Sequence, residues 1–441
     1  MRRLILSLSL LASAAAFLPP QNICSSRLQA SVKQKGTENL PPGRPVGRFL
    51  SLIFDDTYRL LQSKRRGAYQ IKKKEKNGCI FRTNLFCKPA VVVTGKRAMS
   101  EIFEQEKHYK MLAVVPPHHQ GISEEHTQFC CWVKPSLSAK KVNSHEMTME
   151  LTVDNFLNDL TRTHVEDHVQ AVPLVRALFM SMTLQIFIGT LQMDPQMTSD
   201  ISTWAKSSVA HPGGVLPWRK SAKAKQARER ILNELVQIAE QDRGDSPVTL
   251  MGKLFYNMEK NKHIVDVEDI VDRMLTTVFV GADATASAAI SMWKVLSLEP
   301  EVKADLREFP QCIPTFVSNI LQTYPPGPFG MRQIKENIGV GNYTIPKEWF
   351  VVYGLAGALH DNDPEDWLTL ERNFASWAFG GGPHRCPGRF LASQELVSFA
   401  RVLVRMDWEL KKRQNLKQHY NPGLFPASGL KVRFPKHHAP S

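Results

Sequence analysis

The residue with the clearest chemical potential in this sequence is Cys386, which follows a glycine-rich loop and precedes an apolar segment. The glycines at 380–382 allow the backbone to pass close to something flat and bulky. Segment 389–406 predicts a helix that begins just after the cysteine. Backbone N–H groups at a helix N-terminus favour a thiolate, and a thiolate can be an axial ligand of haem iron. The alternative is a buried free cysteine in a glycine loop.

A second candidate site lies in the middle of a long apolar segment. Asp266 is typical of a helix N-cap, and residues 267–297 predict one helix of about thirty residues, far above the usual length. Gly281, Asp283 and Thr285 stand near its centre and indicate a kink or a site. The alternative is that these polar groups are satisfied by the backbone of the helix itself.

The remaining patterns predict a mainly α fold with a small β part. Helical periodicity runs through residues 147–241, with an interruption at 211–214, and helix is also expected from Lys96. Strands are expected at 79–86, 90–94 and 349–353, the first two as a hairpin, and in a terminal hairpin within 406–434.

The loop resembles the haem-binding loop of the cytochrome P450 family. The family pattern is Phe, two residues, Gly, one residue, Arg or His, one residue, Cys, one residue, Gly. Its positions are filled by Phe379, Gly382, His384, Cys386 and Gly388. The resemblance extends from about residue 40 to residue 434 and is closest to the retinoid-hydroxylase branch and its bacterial relatives, through the stretches 281–287, 324–332, 407–410 and 429–434.

This resemblance implies the cytochrome P450 fold, in which haem lies between a long central helix and the cysteine loop, beside a small β-sheet subdomain. It implies haem b with Cys386 as the axial thiolate ligand of the iron. Asp283 would relay protons, with Thr285 or an ordered water. The expected cofactor-binding residues are His126, Arg332, Phe379, Gly382 and His384, of which Arg332 and His384 match contacts to the haem carboxylates.

The implied activity is that of a monooxygenase that activates O₂ to hydroxylate a small apolar substrate, such as an isoprenoid, a carotenoid derivative, a sterol-like molecule or a fatty acid. Electrons would come from a ferredoxin or an NADPH-dependent reductase, and a monomer is expected. Two alternatives stay open: a haem-thiolate hydroperoxide isomerase or peroxygenase that needs no reductase, and a catalytically degenerate haem-binding protein.

Four positions depart from the family pattern. Asn319 and Gln322 replace a Glu and an Arg that form a buried ion pair in the family, and they could hydrogen bond to each other more weakly. Cys130 replaces an arginine that contacts a haem carboxylate. Ala284 stands where the family has a threonine beside the acid, and Thr285 lies about 100° further around the helix.

Composition limits the choice of partners. The chain has 441 residues and a formal net charge of +14, yet its basic residues are not interleaved with aromatic ones, so nucleic acid is not expected. The basic runs 64–66 and 72–76 suit a solvated helix face, an acidic electron donor or a peripheral contact with an anionic membrane. The seven cysteines show no zinc or disulfide spacing, which favours a reduced compartment.

The N-terminus predicts a targeting signal. Arg2 and Arg3 precede an apolar run, 4–18, that is too short to span a bilayer and carries small residues at 12–16. An acid-poor stretch with Ser, Arg and Lys follows at 21–35. We therefore expect a presequence at 1–35, with a signal peptide at 1–16 and a transit region after it, and a single domain at 36–441. The order resembles bipartite plastid presequences; the alternative is the endoplasmic reticulum membrane or lumen.

Overall fold

The structure is a computed structural model of the chain. It describes residues 39–46, 56, 60, 68–85, 87–111, 129, 132–163, 167–189, 195–208, 218–247, 249–261, 266–327, 329–354, 377–382, 385–421 and 423–435. The predicted presequence, His126, Cys130 and His384 lie outside these residues.

Helices dominate the described residues, as predicted. In chain order they are α1 (Ala68–Asn77), α2 (Lys96–Glu104), α3 (Ala139–Asn143), α4 (Glu146–Thr163), α5 (Ala171–Ile188), α6 (Pro195–Ser208), α7 (Trp218–Gln241), α8 (Leu250–Lys260), α9 (Val267–Leu298), α10 (Pro300–Glu308), α11 (Ile313–Thr323) and α12 (Arg389–Leu403).

The strands are short and form four small sheets. They are β1 (Ile80–Leu85), β2 (Lys88–Val93), β3 (Tyr109–Met111), β4 (Val169–Gln170), β5 (Gly330–Ile334), β6 (Ile338–Val340), β7 (Tyr343–Ile345), β8 (Phe350–Tyr353), β9 (Glu409–Leu410), β10 (Gln418–Asn421), β11 (Gly423–Pro426) and β12 (Lys431–Arg433). The largest sheet has the order β1-β2-β8-β5-β3, in which β2 and β8 are parallel and the other pairs antiparallel. The other sheets are β4-β12-β9, β6-β7 and the hairpin β10-β11.

The central helix α9 confirms the prediction from the apolar segment. It runs for 32 residues, and the Asp266 side chain caps it by accepting a hydrogen bond from Asp269 N at 3.2 Å. Its C-terminal half carries Trp293, which is fully buried against Phe399 of α12, with ring centroids 6.2 Å apart. By length and composition α5 and α9 could each cross a membrane, but both are mostly buried among the other elements.

An N-terminal strap, residues 39–45, joins the fold ahead of the first helix. Arg82 N donates to Pro42 O at 2.9 Å, and Arg44 N donates to Arg82 O at 3.2 Å, so the strap lies along β1. Thr344 N of β7 donates to Asn39 O at 3.0 Å. Gly43 adopts φ +147°, and a Cβ there would collide with Arg82 O.

One cysteine departs from the expectation of reduced thiols. Among the described residues, Cys87, Cys312 and Cys386 are free thiols. Cys79 is disulfide-bonded, and its partner lies outside the described residues. Sequence spacing could not show this bond, because a disulfide can join residues that are distant along the chain.

Candidate functional site

The loop that delivers Cys386 is held by its own backbone. A short 3₁₀ turn, Trp377–Phe379, precedes the glycines, and Cys386 N donates to Phe379 O at 2.9 Å. Gly380 and Gly382 adopt φ of +73° and +67°, which side chains other than glycine rarely tolerate. Helix α12 then begins at Arg389, as predicted. The predicted site residues Phe379, Gly382 and Cys386 therefore lie together.

One flat group that lies against the glycines is the aromatic ring of Phe103, a side chain of the protein itself. A Cβ at Gly381 would collide with the ring of Phe103 in α2, and one at Gly382 would lie 2.7 Å from Phe103 O. The Phe103 ring itself packs edge-on against Tyr353 of β8, with centroids 5.1 Å apart. The glycines are needed first to let the loop pass over α2, a contact that the sequence did not reveal.

The thiol of Cys386 is partly buried at the end of this loop. Burial raises the pKa of the Cys386 thiol above its usual value. The Gly388 N–H and the guanidinium groups of Arg389 and Arg385 lower that pKa but do not outweigh burial. Coordination to a metal deprotonates a thiol outright, so the expected thiolate is that of the protein with its cofactor bound.

Two arginines near the loop carry charge into buried positions. Arg332 of β5 is only 3% exposed; it donates to Met331 O at 3.1 Å and lies over the Tyr353 ring, 5.3 Å from its centroid. Arg385 Nε is buried and has no hydrogen-bond partner among the described residues. Buried guanidinium groups of this kind suit the carboxylates of a bound cofactor.

Helix α9 has an open face at its centre. Val280 is 50% exposed, Gly281 is exposed and Ala284 is partly exposed, although Phe279, Ala282 and the turn that follows are buried. These three residues lie on one side of the helix, because they are spaced by one, three and four positions. No polar side chain stands on this short open face.

The structure does not bring Asp283 and Thr285 together. They are about 200° apart around the helix axis. Thr285 Oγ1 donates to Gly281 O, one turn earlier, at 2.9 Å, so its hydroxyl is committed to the backbone of the helix. Asp283 is 7% exposed and faces α5, where its Oδ1 lies 2.6 Å from Arg176 Nε.

The environment of Asp283 acts on its protonation in two directions. Burial raises the pKa of the Asp283 carboxyl above its usual value, while the charge and hydrogen bond of Arg176 and the Gly423 backbone lower it. Asp283 Oδ2 is buried without a hydrogen-bond partner among the described residues. This oxygen is available to take up a proton.

The face of α9 that carries Asp283 continues as a polar stripe against the hairpin β10-β11. Ser287, one turn later, donates to Leu424 O at 2.9 Å and accepts from Leu424 N at 3.0 Å. Ser291 accepts from Gln418 Nε2 at 3.3 Å. The stripe therefore fixes the hairpin on α9, separately from the open face.

The departures from the family pattern leave neutral groups. Gln322 donates to Ser318 Oγ, one turn earlier on α11, at 3.4 Å, and not to Asn319. The predicted hydrogen bond between Asn319 and Gln322 is wrong, because positions three apart on this helix leave Ser318 as the nearer partner. Ala284 lies on the open face, so no hydroxyl stands at that position.

Several residues of the site were missed in the sequence. Arg176 had a usable signal, since it is the one charged residue in the apolar sequence of α5. Glu395 had a similar signal as the one acidic residue of α12. Phe103 and Gly423 gave none, because their roles depend on contacts with distant parts of the chain.

The residues described fit a haem group. Gly281 leaves space near the centre of a mostly buried helix, the glycine loop presents one thiol, and the buried Arg332 side chain and the buried Nε of Arg385 can pair with carboxylates. Ligation of haem iron by a cysteine thiolate defines the class of haem-thiolate proteins, and the cysteine loop and central helix of this mainly helical fold suit that class.

Comparison with known proteins agrees. The profile of the family described as Cytochrome P450 matches residues 313–434. Cytochrome P450 120 of Synechocystis sp. is 23% identical over 83% of this chain and 92% of its own length. Beta-amyrin 28-monooxygenase of Solanum lycopersicum is 23% identical over 92% of this chain and 95% of its own. The retinoic acid-bound structure of cyanobacterial CYP120A1 superimposes with a TM-score of 0.71 at 22% identity, covering 90% of this chain and 99% of that one.

The chain matches the cytochrome P450 family over residues 313–434 and is similar to cytochrome P450 proteins over most of its length. It has the cytochrome P450 fold, as predicted. Its cofactor is haem with a cysteine thiolate as the iron ligand, and its enzyme class is that of the cytochrome P450 monooxygenases.

Proposed function

We propose that Cys386 is the axial thiolate and that haem lies between its loop and the open face of α9. The observation that carries this assignment is the loop itself, which fixes one cysteine by the Cys386 N to Phe379 O hydrogen bond over glycines of positive φ. When bound, haem supplies the binding and activation of O₂. Arg332 and Arg385 would hold its carboxylates, with His384 and His126 as further candidates from the sequence.

The residues of the protein would then have separate roles beside the haem. Gly281 and Ala284 leave room on the open face, and their lack of polar groups suits an apolar substrate. Asp283 would hold and pass on a proton at Oδ2, which has no hydrogen-bond partner among the described residues. Thr285 would influence the open face through the Gly281 carbonyl, to which its hydroxyl donates a hydrogen bond.

We propose a terpenoid substrate. Two proteins similar to this chain carry such molecules in their names: one acts on beta-amyrin, and the other was solved with retinoic acid. The apolar side chain of Val280 on the open face supports an apolar ligand. A ferredoxin or an NADPH-dependent reductase would supply electrons, and the net charge of +14 is compatible with an acidic donor.

The ligand assignment predicts a spectral result. The reduced protein treated with carbon monoxide should absorb at the red-shifted position typical of thiolate ligation. Cys386→Ser should lose this band. Cys312→Ser, which alters a free, partly buried thiol against the main core, is the matched control and should keep it. A red-shifted band in Cys386→Ser would refute the assignment.

Ala284 favours a second candidate function. An open face without a hydroxyl also suits chemistry driven by hydroperoxides, which needs no proton relay.

The first candidate function predicts turnover of retinoic acid or beta-amyrin with an electron donor, and Asp283→Asn should lower this turnover by about 10²-fold or more. Asp272→Asn, on the same helix and paired with Arg228, is the control and should change little. Equal rates with a fatty-acid hydroperoxide alone would favour the second candidate.

A further inference from the structure

Arg176 is a charged side chain in an apolar helix. The sequence of α5 contains no other charged residue. Its guanidinium group lies between the Asp283 carboxylate, with Nε 2.6 Å from Oδ1, and the ring of Phe425, with its central carbon 4.2 Å from the ring centroid. Carboxylate and aromatic ring both favour the cation, so the group is held from two sides.

Such a pair is not an efficient way to gain stability. Placing opposite charges in a buried position costs desolvation that often matches their attraction, and an apolar pair of similar size would serve as well. Asp283 is buried, whereas Arg176 keeps about a quarter of its side chain exposed, with 28% of its surface accessible. The pair therefore links a buried acid to the solvent side of α5.

Other charges near α9 are directed elsewhere. In the described part of the chain, Arg228 of α7 pairs with Asp272, and Glu395 of α12 accepts from Thr183. Lys294 of α9 itself donates to Leu416 O. The hairpin presents the backbone of Gly423 to Asp283 and the ring of Phe425 to Arg176. Arg176 is the charged group that acts on this carboxyl.

We propose that Arg176 is the positioning residue for Asp283: it holds the carboxyl toward α5 and sets the pH range in which Asp283 can carry protons. This deepens the proposed function and rests on the proton role of Asp283. The contacts of Arg176 described above are with Asp283 and Phe425, and we expect its effect on turnover to pass through Asp283.

The pH dependence of turnover tests this role. An adjacent arginine lowers a carboxyl pKa, so Arg176→Gln should move the acid limb of the turnover profile to higher pH. Arg176→Lys keeps the charge and should stay close to the wild type. Arg228→Gln removes a similar ion pair from the same helix and should leave the limb in place. The carbon monoxide spectrum checks that each variant holds haem.

Thermal unfolding gives a readout that is independent of activity. Arg176→Gln should lose stability relative to the wild type as the pH rises from about 4 to 8, because Asp283 without its cation resists ionisation in the folded state. In an Asp283→Asn background that pH-dependent difference should vanish.

The two proposals can fail separately. If Asp283→Asn leaves turnover unchanged, the proton role is wrong, while unfolding still shows whether Arg176 sets the protonation of Asp283. If Arg176→Gln has the wild-type pH dependence in both turnover and unfolding, the positioning role is wrong even where Asp283→Asn is inactive. An equal shift in Arg228→Gln would also overturn it.

Discussion

Glu395 shows how much one buried side chain can depend on its surroundings. It is 1% exposed on α12, and Thr183 of α5 donates to its Oε1 at 2.9 Å. Burial raises the pKa of Glu395 to about 8, although the Thr183 hydrogen bond lowers it. The acid is therefore neutral at pH 7, and it connects α5 to α12 in the interior.

The neutral, buried Glu395 carboxyl predicts that the protein loses stability as the pH rises. An acid whose pKa is higher in the folded than in the unfolded protein stabilises the fold least at high pH. The loss begins above its ordinary pKa and is complete near pH 8. Glu395→Gln keeps the size and the acceptor oxygen but cannot ionise. It should match the wild type at pH 5 and exceed it at pH 9, by an amount on the order of a few kcal/mol.

Chemical unfolding at the two pH values measures this difference. Glu308→Gln, at an exposed position of α10, is the control and should show no such divergence. Parallel stability curves for Glu395→Gln and the wild type would mean that Glu395 is already ionised in the folded state.

At the scale of elements, the glycine loop and α2 form one unit. The ring of Phe103 occupies the space where a Gly381 side chain would stand, and the Phe103 carbonyl occupies that of Gly382. The loop geometry is therefore determined jointly by glycines that are close in sequence to Cys386 and by a helix almost three hundred residues earlier.

A double-mutant cycle tests this unit. Gly381→Ala should reduce the free energy of unfolding by about 1–3 kcal/mol through overpacking. Phe103→Ala should cost about 3–5 kcal/mol as a cavity. The double variant should cost less than the sum, because the cavity accepts the new methyl group. Gly327→Ala, with nothing within 4 Å of its added Cβ, is the control. Additive costs would show that the two positions are independent.

Elements themselves were well predicted from the sequence. Asp266 with the apolar run after it predicted α9, and the β-branched run at 91–93 predicted the hairpin β1-β2, because caps and periodicity are local. Contacts between elements were not predicted. Ser287 and Leu424 are 137 residues apart, and nothing near either residue in the sequence indicates the other.

For the whole molecule and its site, too, local sequence patterns were predictive, whereas contacts between distant residues were not predicted. The loop pattern around Cys386, together with the weaker matches along the chain, predicted the family, the fold and the cofactor, and the comparisons agree with these predictions. The protonation of Cys386 and the partner of Asp283 could not be predicted, because they depend on burial and on distant side chains. The Thr285 hydrogen bond to Gly281 O is the backbone alternative that the sequence left open. The roles of the individual site residues remain proposals that the variants above test.

The N-terminal strap attaches residues 39–45 to the strands of the fold. Asn39 O and Pro42 O accept hydrogen bonds from Thr344 N and Arg82 N, so a cut beyond Asn39 would remove part of this attachment. A cut at the predicted end of the presequence, near residue 35, would leave the strap whole. A cut beyond residue 45 would instead expose the backbone of Arg82 on an unprotected strand edge, where it could pair with other chains. Correct processing and resistance to aggregation would then depend on the same few residues.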